Sequence, residues 1–136
     1  MCLFCRWNSY FGAGFIVNKI YIDTNVILRA NKIGYWQFIK LARYGQLILA
    51  MPAIREIKRI SIISKKLVWV LVERKIIILE NPAGKYANFD AFILNCTNFN
   101  YHLITLDRKL LHRYYGNSNP KFTVRRNKFW SEGNPI

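Results

Sequence analysis

The chain has 136 residues and only seven acids: Asp23, Glu56, Glu73, Glu80, Asp90, Asp107 and Glu132. Against them stand 21 lysines and arginines, for a formal net charge of +14. In so basic a chain the position of each carboxylate is informative. Asp23 follows the apolar run Ile20-Tyr21-Ile22, and Asp107 stands just beyond Leu103-Ile104-Thr105. Both runs read as strands, which puts the two acids at strand carboxyl ends. In an open parallel sheet that edge is where ligands bind. Glu56 and Asp90 fall near the N-termini of helical stretches that follow strands, so they can face the same edge. Four carboxylates from four separated segments can thereby converge on one point.

Carboxylates held close together raise one another's pKa, and a divalent cation relieves that cost. Hard ions such as Mg²⁺ or Mn²⁺ prefer carboxylate oxygens and water. A metal so held activates water and stabilises charge on a phosphodiester. Taken singly, each acid has an ordinary structural role open to it. Asp23, Thr24 or Asn25 could cap the following helix, and Asp107 the helix from Arg108. Glu56 could pair with Lys58 or Arg59. Explaining all four this way requires four coincidences at equivalent sheet positions.

The elements that must position these acids alternate along the chain. Apolar, β-branched runs read as strands at residues 19–22, 47–50, 75–79, 101–105 and 122–124. Helical spacing is found at residues 35–44, 53–60, 65–74, 88–99 and 108–115. Pro52 suits the opening of a helix, and Asn81, Pro82 and Gly84 punctuate a loop. The alternation argues for a single α/β domain with a parallel sheet, spanning residues 18–126. Residues 1–17 are aromatic and contain glycine, but lack the basic and apolar regions of a signal peptide. They read as an added arm or an upstream extension of the reading frame. Residues 127–136 read as a C-terminal tail that frays. No apolar run reaches the roughly 20 residues of a membrane span.

Cys2 and Cys5 form a C-x-x-C with no second pair, and His102 and His112 are isolated, so no zinc site is expected. Cys96 lies on an apolar helical face and reads as core, and His102 reads as structural. An odd cysteine count without a secretory pattern favours a reducing, cytoplasmic compartment. The excess positive charge calls for an anionic partner, nucleic acid before membrane. Arg108, Lys109, Arg113, Lys121, Arg125, Arg126 and Lys128 are the densest basic stretch and the candidates for phosphate contact. Tyr114, Tyr115, Phe129 and Trp130 interleave with them, either to stack on unpaired bases or to cover the edge of the core. Trp36, Phe38 and Trp69 read as core.

Four blocks in order resemble the PIN-domain ribonucleases. They are Ile22-Asp23-Thr24-Asn25-Val26-Ile27-Leu28, Met51-Pro52-Ala53-Ile54-Arg55-Glu56-Ile57, Asn88-Phe89-Asp90-Ala91-Phe92-Ile93-Leu94 and Leu103-Ile104-Thr105-Leu106-Asp107-Arg108. The resemblance covers roughly Asn18 to Val124. It implies a three-layer α/β/α sandwich with a five-stranded parallel sheet, and Mg²⁺- or Mn²⁺-dependent cleavage of single-stranded RNA. By position it makes Asp23, Glu56, Asp90 and Asp107 catalytic metal ligands, and Asn25 and Thr105 the groups that orient carboxylates or water. Many relatives carry a further acid shortly after the last Asp, where this chain has Lys109. The resemblance also admits a homodimer through Tyr35, Trp36 and Phe38. The basic stretch Lys121–Lys128 is similar to the final strand of the ribosome-linked branch, which trims or binds rRNA precursors. The expectation is therefore a metal-dependent endoribonuclease acting on rRNA or its precursors. The alternatives are a non-catalytic rRNA- or ribosome-binding protein, and the toxin of a toxin–antitoxin pair.

Overall fold

The computed structural model describes residues 18–57, 62–96 and 101–136; of residues 62–65 and Cys96 it describes the helical backbone alone. Expectations for residues 1–17, for Lys58 and Arg59, and for the side chain of Cys96 lie outside this. The strands in chain order are β1 (Lys19–Ile22), β2 (Gln46–Ala50), β3 (Ile77–Glu80), β4 (Tyr101–Ile104), β5 (Phe122–Arg125), β6 (Lys128–Ser131) and β7 (Asn134–Pro135). The helices are α1 (Thr24–Leu28), α2 (Ala30–Ile33), α3 (Tyr35–Ala42), α4 (Met51–Ile57), α5 (Ile62–Glu73), α6 (Phe89–Cys96) and α7 (Arg108–Tyr115).

β1 to β4 form a parallel sheet in the order β3-β2-β1-β4. β1 is central, and every residue from Lys19 to Ile22 is buried. This is why the strand reads as an unbroken apolar run after its first residue. Alternation puts Lys19 and Tyr21 on one face. There the Tyr21 ring meets Phe92 of α6 and Tyr101 of β4 edge to face, with centroids 5.6 and 5.7 Å apart. The Lys19 ammonium lies 4.8 Å from the Tyr101 ring centroid. The Tyr21 hydroxyl donates to both oxygens of buried Glu80, at 3.0 and 3.1 Å. Burial pushes the Glu80 carboxyl up, and the Tyr21 bond and the Lys19 charge pull it partly back. A charged layer is thus sealed beneath α6 without taking part in the acidic edge.

The fifth parallel strand expected at residues 122–124 does not form. β5 pairs antiparallel with β6, and β6 with β7, as a separate three-stranded sheet. The turns Arg126-Asn127 (φ 53° and 58°) and Glu132-Gly133 (φ 52° and 84°) are both left-handed. Two-residue loops of that hand match the twist of hairpin strands. The outer edge of β4 is closed instead by side chains. The Tyr115 hydroxyl accepts from the Leu103 N–H at 2.8 Å and reaches the Leu103 carbonyl at 3.4 Å. The Tyr114 hydroxyl donates to the Tyr101 carbonyl at 3.1 Å. Two tyrosines of α7 take up backbone groups that an added strand would have paired.

The last residues are also part of the fold, not a fraying tail. Phe129 is buried, with its ring 5.1 Å from that of Phe38 and its N–H donating to Gln37 Oε1 at 2.9 Å. A second correction concerns the tryptophans. Phe38 is core, but Trp36 is 71% exposed and Trp69 42% exposed. Residues two apart on a helix point roughly 200° away from each other. Burial of Phe38 and Leu41 therefore turns Trp36 outward.

Phe129→Ala should lower the unfolding free energy by roughly 3 kcal/mol or more, and Trp36→Ala by no more than about 0.5 kcal/mol. Urea denaturation of both variants measures the contrast. Equal effects would contradict the placement of the C-terminal hairpin.

Candidate active site

β1 and β4 lie side by side with Ile22 opposite Ile104. Each strand hands its next residue or two to the same edge, and the Asp23 N–H donates to the Ile104 carbonyl at 3.0 Å. Asp23 is 6% exposed. Its Oδ1 accepts from the Thr24 N–H at 2.6 Å, and its Oδ2 accepts from the Thr105 hydroxyl at 2.6 Å. Thr105 Oγ1 in turn accepts from the Asn25 amide at 3.3 Å and from the Asp107 N–H at 3.0 Å. A hydroxyl has one donor and two acceptor sites, so all three are used and its proton must point at Asp23. Asn25 is held at its other end, where Oδ1 accepts from the Leu106 N–H at 3.1 Å.

Glu56, from α4, is held by two partners. Its Oε2 accepts from the Thr24 hydroxyl at 2.7 Å and its Oε1 from the Phe89 N–H at 3.3 Å. Thr24 therefore binds Asp23 through its backbone and Glu56 through its side chain. Asp90 sits in the first turn of α6, one residue after Phe89. Asp107 caps α7, its Oδ1 accepting from the Lys109 and Leu110 N–H groups at 3.0 and 3.2 Å. The capping role open to Asp107 and the proximity to the other acids hold together.

Like charges act on two of the carboxylates, Asp23 and Asp90. Burial pushes Asp23 from 3.8 up to about 6; the bonds from Thr105 and Thr24 oppose this, and Asp90 and Glu56 add to it. Asp90 is raised by burial, then by Asp107 and Glu56, with Arg113 acting the other way. All the donor atoms are oxygen, which suits a hard divalent ion. As placed, no three His, Cys, Asp or Glu side chains among the described residues stand close enough together to hold a metal ion. The arrangement is an acidic group with a buried, hydrogen-bonded Asp23, Glu56 on α4, Asp90 on α6 and Asp107 capping α7.

The basic candidates fall into two groups. Arg108, Lys109 and Arg113 are exposed on α7, which Asp107 opens, and Arg113 is near enough to offset Asp90. Lys121, Arg125, Arg126 and Lys128 belong to the β5–β6 hairpin and the residue before it. There Arg125 lies 4.8 Å from the Trp130 ring, whose Nε1 donates to the Arg125 carbonyl at 3.2 Å. Tyr114 and Tyr115 close the sheet edge. Partial burial of Tyr115 pushes its hydroxyl up to about 12. His102 packs on the Phe122 ring at 5.2 Å and is lowered by burial and then by Lys121, in line with a structural role. Sequence reasoning had Thr24 as a cap candidate and missed its bond to Glu56; the Thr beside the strand-ending Asp was the available signal.

The sign of the Asp23 shift has a consequence for stability. Its pKa is higher folded than unfolded, so its contribution is fullest below 3.8 and is lost as pH rises through about 6. The loss is on the order of 3 kcal/mol. Asp23→Asn cannot ionise. In metal-free buffer the stability of the variant relative to wild type should improve as pH rises across that window. Urea denaturation at a series of pH values reads it, and a difference that stays flat with pH would contradict the burial of a charged Asp23.

Neither a family model nor a curated protein matches the chain. Among solved structures it is similar to one described as the structure of the PIN domain endonuclease Utp24, with a TM-score of 0.64. The sequences are 14% identical, and the likeness covers 86% of this chain and 92% of that one. The likeness shows a PIN-domain fold, the fold that the four motif blocks led us to expect.

Proposed function

We propose that this chain is a metal-dependent endoribonuclease that hydrolyses RNA phosphodiester bonds, with rRNA or its precursors as substrate. The observation that carries the reading is the buried Asp23, clamped by Thr105 and Thr24 and electrostatically coupled to Glu56 and Asp90. A stable core would gain nothing from a carboxylate buried next to other carboxylates. Asp23, Glu56, Asp90 and Asp107 are the residues that would hold Mg²⁺ or Mn²⁺. Such an ion, when bound, supplies Lewis acidity and a water of lowered pKa.

The chain's own residues supply position and charge. Thr105 and Thr24 hold the Asp23 carboxylate in one orientation, and Asn25 holds Thr105. Thr24 and the Phe89 N–H hold Glu56. Arg113 stands beside Asp90, where a cation can meet a phosphate of the substrate. Lys121, Arg125, Arg126 and Lys128 carry the positive charge along the hairpin, a surface suited to phosphates farther along the RNA. That hairpin, together with the net charge of +14, favours a large structured RNA over a small substrate.

A second reading has its own support. The acids come from separate elements and, among the described residues, form no ready-made coordination sphere, and Lys109 stands where the PIN-domain ribonucleases that the chain resembles often have an acid. Both features suit a PIN-fold protein that binds rRNA or the ribosome without cutting.

Purified chain with Mg²⁺ or Mn²⁺ should cleave RNA, and EDTA should abolish cleavage. Asp23→Asn and Asp107→Asn should each lower the rate by at least about a hundredfold, roughly 2.7 kcal/mol of transition-state stabilisation. Variants that cut as fast as wild type would sink the active-site assignment. Calorimetry without Mn²⁺ binding, alongside tight and salt-sensitive rRNA binding, would favour the second reading.

A further inference from the structure

Beside the acidic group, and sharing Glu56 with it, lies a cleft of about 140 Å³ lined by Pro52, Arg55, Glu56, Tyr86 and Ala87. Two elements build it. Pro52, Arg55 and Glu56 belong to α4, and Tyr86 and Ala87 to the loop between β3 and α6. Both walls are held in place. The Tyr86 ring stands edge to face with buried Phe92, centroids 5.5 Å apart at 71°. Gly84 lies nearby, with φ at +114°, and a Cβ there would come within ordinary contact distance of the ring, 3.6 Å. Glu56 is tied to Thr24 and to the Phe89 N–H. Arg55 is exposed at the rim.

We infer that this cleft receives one unpaired nucleobase of the RNA, beside the phosphodiester that the acids address, with Tyr86 as the stacking wall and Arg55 as the cationic rim. The inference rests on the nuclease reading for the position of that phosphodiester. Aromatic rings and guanidinium planes are the surfaces on which unpaired bases stack. Arg55 also offers charge to the phosphate of the nucleotide it holds. A paired base must leave its stack to enter such a cleft, so the cleft selects single-stranded segments, loops and bulges. Because the Tyr86 ring already packs against Phe92, part of its side-chain freedom is spent before binding.

The test is an abasic scan in metal-free buffer, with full-length chain and short single-stranded RNAs that each lack one base. In wild type one position should stand out, its missing base weakening binding about tenfold. Tyr86→Ala should bind intact RNA about tenfold more weakly and no longer respond to that position, and Tyr86→Trp should restore the response. A scan with no sensitive position, or a penalty that survives in Tyr86→Ala, overturns the inference. If Tyr86→Ala fails to fold, Arg55→Ala, at an exposed position, decides: an unchanged abasic penalty there overturns it, and a reduced one supports it. Because no cleavage is measured, the two readings fail separately. A flat scan in a chain that cuts RNA overturns the base site alone. A sensitive position in a chain that never cuts supports the base site and overturns the nuclease.

Discussion

The Thr105 hydroxyl sits between the two acids that end β1 and β4, and it has no spare capacity. It gives its proton to Asp23 and accepts from Asn25 and from the Asp107 N–H. That arrangement requires β4 to run parallel to β1 in the register that sets Ile104 against Ile22. A slip of one residue would turn Thr105 to the opposite face and leave Asp23 buried without its strongest partner. The register is secured elsewhere. Tyr21 and Tyr101 pack together across the same pair of strands, and the tyrosines of α7 bond the outer edge of β4. Core packing and site geometry are therefore one constraint.

Electrostatics divides the molecule in a similar way. Acids are scarce, and the structure gathers four of the seven into one electrostatically coupled group. Glu80 is the contrasting case. It is also buried, but Tyr21 and the charge of Lys19 partly offset its burial. At the acidic edge, bonds orient Asp23, Glu56 and Asp107, while Asp23 and Asp90 feel neighbours of like charge, with Arg113 as partial relief for Asp90. A chain of net charge +14 thus carries a local group of like-charged acids.

Much of this was legible in the residues. Asp23 and Asp107 end apolar runs, and those runs became adjacent parallel strands. Local pattern sufficed because a buried strand must be apolar and its polar edge must lie at its end. Asn25 and Thr105 came from resemblance, and the structure joins them by a hydrogen bond. Trp36 and Trp69 were misjudged because apolar composition does not say which helical face meets the core. The strand read at residues 122–124 does form, but its antiparallel pairing and the ordered hairpin of residues 127–136 are not visible in local pattern. Arg126-Asn127 and Glu132-Gly133 form tight turns, but a Lys- and Arg-rich stretch reads as solvated unless Phe122 and Phe129 are known to find a pocket.

The sequence by itself determined most of the element types up to Val124, the strand ends that carry Asp23 and Asp107, and the excess of basic residues, because these follow from local periodicity and charge. Tertiary structure alone decided the rest. It set the coupling among the four acids, the clamp of Thr24 on Glu56, the sealing of β4 by Tyr114 and Tyr115 in place of a fifth strand, and the cleft between Arg55 and Tyr86. Each of these depends on where distant segments meet, and packing of the whole core settles that.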